Sequence, residues 1–386
     1  MRDNSQPKAA LIDVLIPAYN AASTIRASIQ CIQSQTITDI RIIVVNDGST
    51  DETARLLEDM SKDDARIVVH SQENKGIVDA LNMCLRLSTA RFIARHDADD
   101  IAYPRRLESQ LDYLKTHPDC VAVGANAWHI GENGSRLGTR TIFIGDVDPD
   151  PYAVPSREPY LMHPFLMVRR EAIDAAGGYR YCFHAEDADL YWRLLKSGRL
   201  HNLEEVLGEY RVHAGSVSSA SIRNGRIAAK YSQLAALSYR RIQAGKDDIR
   251  FDRIDLAALN AMPNFHQVIE HKIDQLDSVE QAYLKQASAA KLVAAASYRP
   301  FRLELDDCRQ LAAELKDLSS LPPSERSIIR RNQAEVLRIY FDAGLWAQIV
   351  ALNFPFAVFA RLPRRYWWKL RNHLRTRRLS RNMQAT

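Results

Sequence analysis

Cysteine is sparse in this 386-residue chain: the five residues Cys31, Cys84, Cys120, Cys182 and Cys308 lie far apart, with no CxxC pair. That spacing argues against a disulfide framework and against a structural zinc site, and it fits a reducing compartment. Long apolar runs are also missing. The longest candidate, Leu345–Ala360, is broken by Asn353 and Pro355 and falls short of the ~20 residues that a spanning helix needs. Met1 to Ala10 carries charges and a proline but no apolar h-region, so no secretory signal is expected. Neither GxGxxG nor GxxxxGK[ST] follows any strand candidate, which excludes the usual dinucleotide and P-loop signatures. Hydrophobic residues make up 46% and charged residues 26%, an ordinary globular balance that excludes a disordered or collagen-like chain.

Charge is unevenly spread. The net charge is +5, yet Arg361 to Thr386 alone carries nine cations and no acid, leaving the rest at −4. This reads as a slightly acidic body with a basic attachment segment at one end. Trp367 and Trp368 sit among these cations, directly after the short apolar stretch. That combination suits a monotopic segment in an anionic headgroup region. The competing readings are a last core helix with a solvated tail, or a nucleic-acid arm; nucleic acid is not the expected partner.

Periodicity divides the chain. Leu11–Ile16, Ile40–Val45, Arg66–His70 and Arg91–His96 are short runs rich in Ile and Val that read as buried strands. Ala22–Gln33, Asp51–Met60 and Ile77–Leu87 between them have helical spacing, and Ser49 with Glu52 has the pattern of a capping box. Alternation at this spacing predicts an α/β fold with a parallel sheet covered by helices on both faces. Cys120–Asn126 and Thr141–Ile144 are further strand candidates, Gly131–Gly138 reads as a hairpin connection, and Asp146–Pro159, with four prolines, as an irregular loop over a site. Helical spacing returns at Arg169–Ala176 and Glu186–Lys196. Beyond about residue 220 it dominates, at Arg226–Ala244, Ser278–Ala296, Asp306–Leu318 and Glu325–Phe341. The expected organisation is a catalytic α/β domain over 1–220, a helical region over 221–344 and a membrane-surface segment over 345–386.

The strands end in acids. Ile16-Pro17-Ala18-Tyr19-Asn20, Asn46-Asp47-Gly48-Ser49 and His96-Asp97-Ala98-Asp99-Asp100 follow strands one, two and four. In an open α/β sheet such ends line one crevice. Asp97, Asp99 and Asp100 put three carboxylates into four residues, and their mutual repulsion calls for a cation. Oxygen-only ligands suit Mg²⁺ or Mn²⁺, typically shared with substrate phosphates, so a diphosphate-bearing substrate is the natural partner. A solvated acidic turn is the bland alternative. Asp47 fits a carboxylate accepting from a base N–H, and Lys75 a cation near phosphate; a helix-end acid and a surface lysine are the ordinary readings. Glu186 and Asp187 open a helix, where its dipole alone could explain them; functionally one of them suits a general base. His163, Arg211 and His213 are further candidates.

Taken in order, IPAYN (16–20), VVNDGSTDET (44–53), NKGIVDALN (74–82), RHDADDIAYPRRLE (95–108), HPFLMVRREAI (163–173), GGYR (177–180), EDADLYWRL (186–194) and YRVHAGSVS (210–218) resemble the family 2 inverting glycosyltransferases of GT-A fold. Within them the chain looks most like bacterial lipooligosaccharide β-glycosyltransferases, including those that add N-acetylglucosamine to galactose. The resemblance covers about residues 11–220. It implies a nucleotide-sugar donor, a UDP-sugar such as UDP-N-acetylglucosamine, a glycan or lipid-linked acceptor, and a peripheral place on the cytoplasmic face of the inner membrane. It implies that Pro17, Ala18 and Tyr19 border the nucleotide, that Asp47 contacts uracil, and that Asp97 lies near the ribose and donor sugar. It further implies that Asp99 holds Mn²⁺ or Mg²⁺, that Asp187 is the base with Glu186 shaping the acceptor side, and that Arg211 and His213 sit on a loop closing over the diphosphate. Asn46 and Ala185 depart from the frequent DDGS and GED patterns while keeping the acids. A non-catalytic binding module and a nucleotidyltransferase are the alternatives; intact acidic pairs disfavour the first, and the lack of a basic triphosphate loop the second.

Overall fold

The computed structural model describes residues 10–212 and 221–367, and His213 lies outside them. The described residues fall into two compact units, one of residues 10–149 and 158–212 and one of residues 150–157 and 221–367.

The first unit runs β1 (Ile12–Ala18), α1 (Ile25–Gln33), β2 (Ile40–Asp47), α2 (Thr53–Asp63), β3 (Ile67–Gln72), α3 (Ile77–Leu87), β4 (Phe92–Arg95), β5 (Ile101–Ala102), α4 (Arg106–Thr116), β6 (Cys120–Ile130), β7 (Arg136–Arg140), β8 (Gly145–Asp146), β9 (Met167–Arg169), α5 (Arg170–Ala176), α6 (Glu186–Leu194) and β10 (Arg199–Arg211). One mixed sheet has the order β3-β2-β1-β4-β9-β6-β10-β5, with β7 on β6 and β8 on β10. The strands β3, β2, β1 and β4 are mutually parallel. They read as continuous Ile and Val because both faces are covered. Ile12, Val14 and Ile16 pack with α1, α2 and α4 on one face. Leu15, Ile43 and Ile93 pack with α3, α5 and α6 on the other.

Buried Asp13 pins the strand starts. It accepts two bonds from Arg41, one from the Ser88 hydroxyl and one each from the Thr89 and Ala90 N–H groups. Burial pushes this carboxyl up, but the bonds together hold it below the ordinary aspartate value.

Several expectations need correcting. α2 has no Ser49–Glu52 capping box; Asp51 instead accepts the Thr53 N–H at 3.0 Å. Thr141–Ile144 is not a strand. Phe143 is bonded through both its N–H and its carbonyl to the Asn126 side chain, which takes the place of a ladder, and Ile142 and Ile144 are exposed. β9 and the 13-residue β10 were not legible as strands. β10 (RLHNLEEVLGEYR) alternates poorly because its pairing with β6 shifts register between Asn202 and Val206 and again before Glu209. Gly131–Gly138 does connect an antiparallel pair, β6 and β7.

The second unit is helical: α7 (Ile222–Gln243), α8 (Asp255–Ala261), α9 (Phe265–Glu270), α10 (Ser278–Ala296), α11 (Leu305–Glu314), α12 (Pro323–Asp342), α13 (Trp346–Leu352) and α14 (Phe356–Phe359). α10 begins with a true capping box of Asp277 and Glu280. Of the expected irregular loop, Glu158 acts electrostatically on Asp187, whereas the segment 150–157 directly before it belongs to this unit. Val154 is in its core, the Val154 and Ser156 N–H groups donate to Glu325 and Gln233, and the Tyr283 hydroxyl donates to the Pro151 and Ala153 carbonyls. One face of the apolar stretch expected at a membrane surface is core, while Val350 and Phe356 are exposed. Ile349, Leu352, Phe354, Val358, Leu362 and Tyr366 are buried with α12. Two helices of 7 and 4 residues, separated at Asn353, are far shorter than a spanning helix yet can still bury one face each. No helix among the described residues is long and apolar enough to cross a membrane.

Candidate active site

Adjacent parallel strands bring three chain segments to one edge of the sheet. β2, β1 and β4 end at Asp47, Ala18 and Arg95, and the acidic run 97–100 follows β4 directly. The first two ends are tied together: the Asn20 N–H donates to Ser49 Oγ at 2.9 Å, the Thr50 N–H to Asn20 Oδ1 at 2.8 Å, and the Ala21 N–H to Thr53 Oγ1 at 2.8 Å. Pro17 and Ala18 close β1, and Tyr19 just beyond is 52% exposed, presenting a ring at the edge.

Asp47 is buried. Its carboxylate accepts from Gln72 Nε2 (2.7 Å), the Lys75 N–H (2.9 Å) and the Gly76 N–H (2.8 Å). Oδ2 carries one of these bonds and keeps a lone pair for a ligand N–H. Gly48 permits this arrangement: its φ is +72°, and a Cβ there would stand 2.5 Å from the Asn74 backbone nitrogen. Lys75 contributes its backbone here and leaves its side chain exposed.

The acidic run is the densest charge in the unit. Asp97, Asp99 and Asp100 each place a carboxylate oxygen within 4.8 Å of the others. Asp100 is fully buried; Oδ1 accepts the Arg211 N–H at 2.8 Å, while Oδ2 has no partner. Burial first, then repulsion from Asp97 and Asp99, pushes the Asp100 carboxyl well above the ordinary range. A buried, partnerless oxygen facing two more carboxylates is the donor chemistry that a hard divalent cation satisfies. The run is braced from behind by Arg106, which is completely buried. It reaches His96 Nδ1 at 3.0 Å and donates to the Arg95 carbonyl at 2.5 Å. An arginine can only donate, so Nδ1 is the accepting nitrogen of His96. Burial, then Arg106 and Arg95, keep that ring neutral.

Arg211 stands at the very end of a strand, β10, and its guanidinium donates to the Asp99, Gly131 and Glu132 carbonyls at 2.8, 2.9 and 2.9 Å. Bound three times to backbone, it anchors the acidic run to the β6–β7 hairpin.

Glu186 and Asp187 form the first turn of α6, both half-buried. Asp187 Oδ1 accepts the Ala188 N–H at 2.7 Å. Burial raises the Asp187 carboxyl; burial and then Asp187 push Glu186 up to about 7. Asp189 on the same helix is different: it is buried in ion pairs with Arg180 and Arg193. His163 bonds the Tyr179 hydroxyl at 2.8 Å, and burial, then Arg95, hold it well below the ordinary histidine value. The two acidic centres share one neighbourhood. Arg95 bonds Asp97 at 2.5 Å and acts electrostatically on Glu186 and Asp187, and Asp97 repels Glu186. Sequence reasoning gave Arg95 no part and Asp100 no separate role; a lone arginine before an acidic triplet carries no pattern of its own.

Residues 13–177 match the family described as Glycosyl transferase family 2. The putative glycosyltransferase EpsE of Bacillus subtilis is 33% identical over 214 residues, covering 54% of this chain and 74% of EpsE. The O-antigen biosynthesis glycosyltransferase WbnJ of Escherichia coli is 30% identical over 220 residues, covering 55% of this chain and 84% of WbnJ. The chain therefore belongs to glycosyltransferase family 2: it is a glycosyltransferase whose sheet unit is a GT-A domain. Among solved structures, residues 1–349 of S. aureus TarS align with a TM-score of 0.49 at 15% identity, covering 85% of this chain and 88% of that one.

Proposed function

We propose that this enzyme moves a sugar from a nucleotide-diphosphate donor, a UDP-sugar such as UDP-N-acetylglucosamine, to a hydroxyl of a glycan or lipid-linked acceptor in bacterial surface polysaccharide or lipooligosaccharide synthesis, with inversion at the anomeric carbon. The observation that carries the reading is the cluster of Asp97, Asp99 and Asp100 carboxylates at the end of β4, within 4.8 Å of one another and within electrostatic reach of Glu186. In this reading Pro17, Ala18 and Tyr19 border the nucleotide, Asp47 accepts the uracil N–H with its free lone pair, and the exposed Lys75 side chain meets phosphate. Asp97 faces the ribose and sugar. Asp99, with the partnerless oxygen of Asp100, would hold Mn²⁺ or Mg²⁺, which when bound supplies charge neutralisation at the leaving diphosphate. Arg211 fixes Asp99 through its Nε–H and presents Nη2 toward the donor diphosphate. Asp187 takes the acceptor proton as the oxygen attacks from the face opposite the diphosphate, and Glu186 shapes the acceptor side. One displacement on an α-linked donor gives a β-linkage.

The test is incubation with Mn²⁺ and a panel of nucleotide sugars. Slow, metal-dependent hydrolysis of one UDP-sugar is expected. Saturable donor binding with no hydrolysis and no transfer to any glycan would favour a binding module.

The same proposal includes peripheral attachment to an anionic membrane surface, on the cytoplasmic face of the inner membrane. Phe356 is 73% exposed, and its ring and that of Phe359 lie 5.4 and 6.2 Å from Trp367, just before the remaining basic residues of the sequence. Because Leu362 and Tyr366 are core, the informative truncation ends the chain at Trp367. It should abolish sedimentation with phosphatidylglycerol vesicles and spare donor hydrolysis; retained sedimentation would count against the basic segment as the anchor.

A further inference from the structure

Two aromatic rings stand at the surface of the sheet unit, and buried asparagines hold their backbones there. The Phe143 and Tyr160 ring centroids lie 4.6 Å apart at an interplanar angle of 40°, and Tyr160 is 42% exposed. Neither ring belongs to the apolar clusters that make up the core of this unit. Buried Asn126 accepts the Phe143 N–H at 2.8 Å and donates to the Phe143 carbonyl at 2.9 Å. Buried Asn202 donates to the Tyr160 carbonyl at 2.9 Å, while its own Oδ1 has no partner among the described residues. The space around that oxygen is tight: a Cβ on Gly124 would stand 2.6 Å from it. Leaving a buried acceptor unmet is costly. A carboxamide kept that way in order to fix a surface tyrosine points to a use for the tyrosine beyond packing.

The place of this ring pair identifies that use. Residues 158–163 run past α6. His163 meets Tyr191 edge to face, with ring centroids 6.3 Å apart, and Leu161 is buried in one cluster with Leu190 and Tyr191. Tyr191 follows Asp187 by four residues and so lies on the same face of α6, one turn along. At the other end of the segment, Glu158 acts electrostatically on Asp187. Tyr160 stands between these two points, beside the helix that carries the acceptor-side acids. A pyranose ring has a face of C–H bonds that packs on an aromatic ring, while its hydroxyls remain free for polar partners. The rim here carries Glu158, Glu186 and Asp187, which repel an anionic ring.

We propose that Phe143 and Tyr160 form an acceptor subsite, a two-ring platform on which a neutral pyranoside stacks with its reacting hydroxyl toward Asp187. This subsite deepens the transferase reading and rests on it for the role of Asp187. It names the acceptor class as neutral hexopyranosides and sets uronates aside.

Saturation-transfer NMR on the full chain reads the platform apart from turnover. The probes are methyl β-D-glucopyranoside, methyl β-D-galactopyranoside and methyl β-D-glucuronide. At least one neutral probe should receive saturation at its C–H protons, and the uronide should bind about fivefold more weakly or worse, because like charges meet at the rim. Tyr160→Ala and Phe143→Ala should each weaken binding of the neutral probe about 3- to 10-fold, the range of one aromatic contact. Tyr160→Phe keeps the ring and should stay within about twofold. Where Phe143→Ala does not fold, the exposed Tyr160 decides alone. Saturation of neither neutral probe, or unchanged affinity in Tyr160→Ala, overturns the proposal; equal binding of the uronide overturns the neutral preference. A wild type that binds a pyranoside through Tyr160 but hydrolyses no nucleotide sugar sinks the transferase reading and leaves a saccharide site. Donor hydrolysis with no pyranoside bound sinks the platform alone.

Discussion

Asp187→Asn is expected to remove about 10²- to 10⁴-fold of kcat for sugar transfer, the usual worth of a general base, while donor affinity stays within about twofold. The amide is isosteric, and its oxygen can still accept the Ala188 N–H, so the first turn of α6 should keep its geometry. What is lost is the site that receives the acceptor proton. Glu186→Gln should be milder in kcat and show itself mainly in acceptor KM. The pH profile follows from the raised carboxyls. The base is active when ionised, so kcat/KM should fall as pH drops through the titration of the pair. That limb belongs well above the ordinary carboxylate range, toward the value of about 7 held by Glu186. The two groups are neighbours on one turn, so the profile reports the pair and not either residue alone. Calorimetry with the donor, beside initial rates across pH, decides the matter: wild-type turnover in the amide variant would remove Asp187 from the role.

The second large effect is metal-linked. Asp99→Ala should abolish the Mn²⁺-dependent part of donor binding, a loss of at least the 10- to 100-fold known for weakening a metal's supporting shell. Wild type treated with EDTA should behave likewise. Asp100→Asn is the sharper probe. Its oxygen can still take the Arg211 N–H, so β10 stays attached, but the buried negative charge beside Asp97 and Asp99 is gone. Donor titration with Mn²⁺, with Mg²⁺ and with EDTA should show the variant insensitive to the ion. Equal affinities under all three conditions in the wild type would leave the acidic run without its cation. The carboxyl of Asp100 should then titrate at its elevated value in every buffer.

The parallel half of the sheet was readable because burial on both faces writes itself as unbroken Ile and Val. The acids after β2 and β4 were readable for the same reason: they follow those runs at once. β10 was not, since its bulges break the two-residue period, and β9, three residues long, is too short to carry one. Arg211 illustrates a different limit. Its motif is visible in sequence, but whether a guanidinium meets a phosphate or three carbonyls depends on the hairpin at 131–132, far away in the chain. The partnerless oxygen of Asp100 depends on which polar atoms go unmet, and no spacing encodes that.

The strand-linking segment 150–157 carries Val154 into the packing of α7, α10 and α12. A catalytic fragment cut after residue 212 would keep this octapeptide and lose everything it leans on, exposing an apolar, proline-rich ribbon in the middle of the sheet unit's own sequence. Chimeras that swap the helical half among relatives must therefore exchange two separate stretches of chain, and a soluble minimal enzyme calls for rewriting the ribbon along with the cut.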